Sequence, residues 1–101
     1  MVDLTPRQRA VLKALGHSLK PIVQIGKDGV SEAVVKTVTE ALRTHELLKV
    51  RVLDTAPADP SDLGAELVAS IDDAHLIQVI GRTMVLYRRH PTEPRVTLPG
   101  I

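Results

Sequence analysis

The most chemically suggestive spacing in the chain is Gly26-Lys27-Asp28-Gly29. Two glycines three apart let backbone amides come close to a phosphate, Lys27 adds a positive charge, and a helix starting just beyond would offer its positive end. The same pattern fits an ordinary strand-to-helix turn, so its surroundings must decide. Other chemistry is sparse. His17, His45, His75 and His90 stand at no metal-ligand spacing, and no cysteine is present, so no metal site is expected. Asp54, Asp59, Asp62, Asp72 and Asp73 lack the alternation of a calcium loop and read as caps and solubilising groups. No Walker A loop, dinucleotide-binding glycine motif, nucleophile elbow or zinc-protease motif occurs. The expectation is a binding module, not an enzyme, with no cofactor.

The elements around that loop are legible from periodicity. Thr5-Pro6 reads as a helix start, and Val11, Leu12, Leu15 and Leu19 supply apolar positions for a helix from Pro6 to Leu15 or Gly16. Arg7, Arg9 and Lys13 occupy its other side, as a solvated face or as a surface for an anion. Pro21 to Ile25 is a β-branched run between Pro21 and Gly26, a first strand that leads straight into the glycine loop. Ser31 then caps a second helix with Val30, Val34, Val38, Ala41 and Leu42 as its buried stripe. Leu48 to Val52 alternates with period two, sending Leu48, Val50 and Val52 to the core and Lys49 and Arg51 to the opposite face. Asp59-Pro60 starts a third, acidic helix, which should point away from any polyanion. Asp72-Asp73 should close it poorly, because acids disfavour the negative end of the helix dipole. Leu76–Ile80 and Met84–Arg88 form a hairpin across Gly81-Arg82-Thr83. The tail, 89–101, either packs loosely over the domain or trails into solvent.

With 101 residues, 44% of them hydrophobic and 25% charged, the chain suits one globular domain, 1–101, with a core over about 4–88. A single aromatic residue, Tyr87, disfavours reading bases by stacking them on several rings. The start, 1–9, has no signal-peptide character and no segment reaches the length of a membrane span, so a cytoplasmic protein without membrane association is expected. The net charge of +1 conceals segregation: residues 1–51 carry +4, 52–81 carry −6 and 82–101 carry +3. Such a chain can present one basic and one acidic face.

In order and combination, four stretches resemble the CRM domain (chloroplast RNA splicing and ribosome maturation), whose stand-alone bacterial members are the YhbY proteins. They are Leu12 to His17 with Leu19 to Pro21; the loop Ile25 to Gly29; Ala41-Leu42 with His45 to Val50; and Gln78 to Arg88. The resemblance implies an α/β (α+β) domain of α-β-α-β-α-β-β order. Its four-stranded mixed sheet would be similar to the C-terminal domain of bacterial translation initiation factor three. It also implies binding to RNA, namely structured large-subunit ribosomal RNA in precursor particles, during large-subunit assembly. The family's glycine loop falls on Gly26, Lys27, Asp28 and Gly29, and its basic face on Lys20, Arg7, Arg9 and Lys13, with Lys49, Arg51, Arg82 and Arg88 as further members. Asp28 departs from the pattern by setting a carboxylate where phosphates should come.

The leading expectation is therefore an RNA-binding monomer that grips phosphates. The alternative is an adaptor whose acidic third helix or exposed sheet face docks a ribosomal or assembly protein. Gly29→Asp is expected to weaken RNA binding while leaving the fold intact.

Overall fold

A computed structural model describes residues 3–100. Pro6–Gly16 forms α1. Thr5 caps it: Thr5 Oγ1 accepts from the Gln8 amide at 3.1 Å, and Gln8 Oε1 accepts from the Thr5 amide at 2.9 Å, a reciprocal pairing that satisfies two otherwise free donors. Pro21–Ile25 is β1, and Glu32–Thr44 is α2, capped by Ser31 Oγ accepting from the Val34 amide at 3.2 Å. Leu47–Val52 is β2, Pro60–Ala69 is α3, His75–Ile80 is β3 and Thr83–Tyr87 is β4. His17 and His45 are the C-caps of α1 and α2. Asp59 holds the N-cap position of α3 but makes no side-chain capping bond. After α3, Ser70 ends the helix and Asp73, at φ 62°, turns the chain into β3.

The sheet runs β1-β2-β4-β3, with β1 parallel to β2 and the other pairs antiparallel. It is mixed, as the α2 crossover between β1 and β2 requires. Both faces are used. On one, Ile25, Val50, Val52, Met84 and Leu86 pack under Val38 and Leu42 of α2 and Leu63 and Leu67 of α3. On the other, Leu12 of α1 lies over Ile77, Val85 and Tyr87. Gly16 brings the end of α1 down onto the sheet, since a Cβ there would stand 3.0 Å from Val85 Cγ1. The period-two pattern of β2 works as expected: Leu48, Val50 and Val52 are at most 2% exposed, while Arg51 is exposed on the α1 side.

The tail packs, and it is fastened rather than loose. Buried Glu46, just before β2, accepts the amides of His90 at 3.0 Å, Val96 at 2.9 Å and Arg95. Leu98 joins the cluster under α1, and Gln8 Nε2 donates to the Pro99 carbonyl at 2.8 Å. The buried face of α1 and the chain end thus form one layer.

Candidate functional site

The glycine loop caps one end of the sheet. Gly29 donates to the Gly26 carbonyl at 3.0 Å, so the four residues form a closed turn with Lys27 and Asp28 exposed at its tip. Ser31 donates to the Gly29 carbonyl at 3.0 Å and leads into α2. Among the described residues the amides of Lys27, Asp28 and Val30 make no hydrogen bond, and they stand directly before the free amides of the first turn of α2. The turn therefore offers several unspent donors beside one lysine, which is the chemistry that meets an anion.

The two glycines do different work. Gly29 is buried at φ 62°, and a Cβ there would lie 3.0 Å from Pro57 Cγ. Gly29→Asp is therefore not the clean probe the sequence suggested, because it strains the backbone and displaces Pro57. Gly26 has room: a Cβ there would meet Leu53 Cδ1 at 3.7 Å.

Behind the turn stands the connector from β2 to α3, held by Arg82. Its Nε donates to the Val52 carbonyl at 3.2 Å and its Nη2 to the Leu53 carbonyl at 2.7 Å, with Asp54 3.6 Å away. Leu53 in turn donates to the Ile25 carbonyl at 2.8 Å. Arg82 thus ties the β3–β4 hairpin to the strand end that carries the glycine turn. An engaged guanidinium of this kind orders its surroundings more than it offers charge.

The structure divides the expected basic face. Gly26, Lys27, Asp28, Gly29, Arg51 and Arg82 gather at the loop end, since Arg51 pairs with Thr83 beside the hairpin and stands one residue before Val52, the partner of Ile25. Lys49 lies further along β2, its Nζ donating to the His17 carbonyl at 3.2 Å, and Lys20 is exposed just before β1. On α1, Arg9 Nη1 donates to the Leu76 carbonyl at 3.0 Å, and Lys13 follows one turn later on the same side. Arg7 and Arg88 belong to the opposite end, where α1 begins and β4 stops.

That far end holds a cavity of about 640 Å³ bordered by Thr5, Gln8, His75, Tyr87, Arg88 and His90. The His75 and Tyr87 rings lie 6.2 Å apart, centroid to centroid. Burial pushes the His75 imidazole down, as does the Arg9 charge, against Asp3 and Asp73. Burial pushes the Tyr87 phenol up, and the Glu46 charge adds to this. At Glu46 burial raises the carboxyl, but the three tail amides and the His90 charge outweigh it and hold the group below the usual carboxylate range. Among the described residues no cluster of three or more His, Asp or Glu side chains is placed to hold a metal ion.

The CRS1/YhbY (CRM) domain profile matches residues 4–88, from just before α1 to the residue after β4. The chain belongs to the CRM domain family. Over 95% of its length it is 38% identical to 99% of YqeI of Bacillus subtilis, named a probable RNA-binding protein. It is 35% identical to a protein of Haemophilus influenzae named an RNA-binding protein, over 98% of both chains. The solution structure of the hypothetical protein SAV1595 from Staphylococcus aureus superposes with a TM-score of 0.81 at 36% identity, covering 96% of this chain and all of that one. In this CRM domain the exposed tip of the glycine turn carries Asp28 beside Lys27, so its charge is locally balanced and its backbone amides are the main donors.

Two contributors were not singled out from sequence. Glu46 and Gln8 act through partners 44–91 residues away in the chain, and no local pattern marks such contacts.

Proposed function

We propose that this CRM domain is a non-enzymatic RNA-binding protein that holds structured ribosomal RNA by its backbone and assists assembly of the large ribosomal subunit in the cytoplasm, acting as a monomer. The observation that carries this reading is the exposed glycine turn with unspent amides at the start of α2, in a chain whose relatives are named RNA-binding over nearly their whole length. Phosphate contact from backbone amides and a few lysines suits shape recognition, and the scarcity of aromatic rings fits it. The turn Gly26 to Gly29 forms the clamp through the Lys27 and Asp28 amides and the Lys27 ammonium, with Lys20, Lys49 and Arg51 beside it. Arg9 and Lys13 extend the surface along α1, Arg82 supports the clamp from behind, and Arg7 and Arg88 lie at its margin.

The test is titration of the purified protein with a large-subunit ribosomal RNA fragment and with duplex DNA of equal length across a salt series. Tight RNA binding with a log–log slope of roughly −2 to −5, and much weaker DNA binding, is expected. Weak binding to both would favour the second reading, a protein adaptor. That reading draws on the exposed acids Asp62 and Glu66 of α3, on the far face of the sheet from α1. An association with assembly-particle proteins that survives nuclease treatment would mark it.

A further inference from the structure

The α1 layer does not cover its whole face of the sheet. Gln24, Arg51, Thr83 and Ile80 are register partners across β1, β2, β4 and β3, so they form one continuous row on the α1 side. Gln24 and Arg51 are exposed, Thr83 is half-buried, and Ile80 is 51% exposed. The neighbouring residues Ile77, Val85 and Tyr87 on this face are buried under α1 and the tail, which stop short of this row. The row crosses three inter-strand gaps, about 14 Å, at the end of the sheet that carries the glycine turn.

Its chemistry is specific. None of the four strands contains an acidic residue, so Arg51 and Lys49 are the strand charges on this face, with Asp28 and Asp54 in the loops at its end. Among the described residues Arg51 has no ion pair, and the side chains of Gln24 and Thr83 make no hydrogen bond. The row is thus a free guanidinium plane, a free amide, a free hydroxyl and an aliphatic surface. A duplex would present phosphates and ribose hydroxyls and would need several cations in line, whereas this row has one, flanked by neutral groups. Amide and hydroxyl groups match base edges, and a guanidinium or isoleucine matches a base face.

Resting on the RNA-binding reading above, we propose that the row seats an unpaired RNA segment of about two or three nucleotides, the number a four-stranded sheet can display. The phosphates of that segment run toward the glycine turn, and its bases lie on Gln24, Arg51, Thr83 and Ile80. Arg51 stacks, while Gln24 and Thr83 hydrogen-bond the base edges. The surface therefore selects unpaired over paired RNA, a discrimination that phosphate contacts alone do not supply.

The experiment compares the unaltered protein with a Gln24→Ala/Thr83→Val double variant, binding a short unpaired RNA of mixed sequence and an RNA duplex of equal length. Both changes are neutral, one at the exposed Gln24 and one a near-isosteric exchange at the half-buried Thr83, so the thermal midpoint should hold. The expected result is a loss of about tenfold for unpaired RNA, the worth of two neutral hydrogen bonds, with the salt slope and the duplex affinity unchanged. If the double variant fails to fold, Ile80→Thr, at the 51% exposed end of the row, takes its place, with the loss again confined to unpaired RNA and the slope unchanged. Equal affinity of variant and parent for unpaired RNA, or an equal loss on the duplex, overturns this inference alone. Failure of the unaltered protein to bind either RNA overturns the RNA-binding reading and this surface with it.

Discussion

Arg82 and the two loop glycines show how residues of similar appearance in sequence separate once their partners are known. Arg82 was grouped with the RNA-facing bases, yet its guanidinium is occupied by the Val52 and Leu53 carbonyls and by Asp54. Arg82→Gln should therefore lower RNA affinity by about fivefold through a loosened turn while leaving the salt slope unchanged. A slope reduced by about one would instead make Arg82 a phosphate contact. The glycines divide in the same way. Gly29→Ala should cost about 1–2 kcal/mol of stability, because it combines a left-handed backbone with contact against Pro57, as read by denaturant unfolding. Gly26→Ala should leave stability within about 0.5 kcal/mol and weaken RNA binding by setting a methyl group on the turn. Sequence showed that this loop was a glycine turn, but not which glycine the fold needs. That distinction depends on Pro57 and Leu63, which approach Gly29 from another part of the chain.

At the scale of elements, the sequence was most informative where signals are local. Thr5-Pro6, Ser31 and Asp59-Pro60 mark the helix starts at the observed residues, and the alternation in Leu47–Val52 assigns its side chains to the correct faces. The tail was the least legible element, because what fastens it is a carboxylate remote in sequence. Its attachment should also depend on pH. Glu46 titrates lower in the folded chain than in the unfolded one, so its contribution is present above the ordinary carboxylate range and is lost as pH falls through the lowered value. His75 acts in the same direction: burial lowers its folded value, so the unfolded chain binds the extra proton first and stability declines as pH drops below about 6.5. Glu46→Ala should cost about 2–3 kcal/mol at neutral pH, the worth of hydrogen bonds to a charged acceptor, and should raise amide exchange at His90 and Val96. If exchange at those amides matches the parent protein, Glu46 does not hold the tail.

For the whole molecule, the segregated charge visible in sequence becomes a separation of faces. The acids of α3 lie across the sheet from α1, although Asp54 stands at the loop end beside Arg82. Replacing Arg9 and Lys13 together by Glu should reduce the salt slope of RNA binding by about one to two if the RNA extends from the glycine turn along α1. An unaltered slope would confine the interface to the loop end. The pairing of Gln8 with Pro99 has a further consequence, because it draws both ends of the described chain to one pole. Along the strand direction, the six residues of β3 separate that pole from the end of the sheet that carries the glycine turn by about 17 Å. A reporter, tether or further domain attached at either end would therefore emerge beside the other and leave the turn clear. Copies strung together through these ends would hang from their linkers like keys on a ring, every glycine turn facing outward.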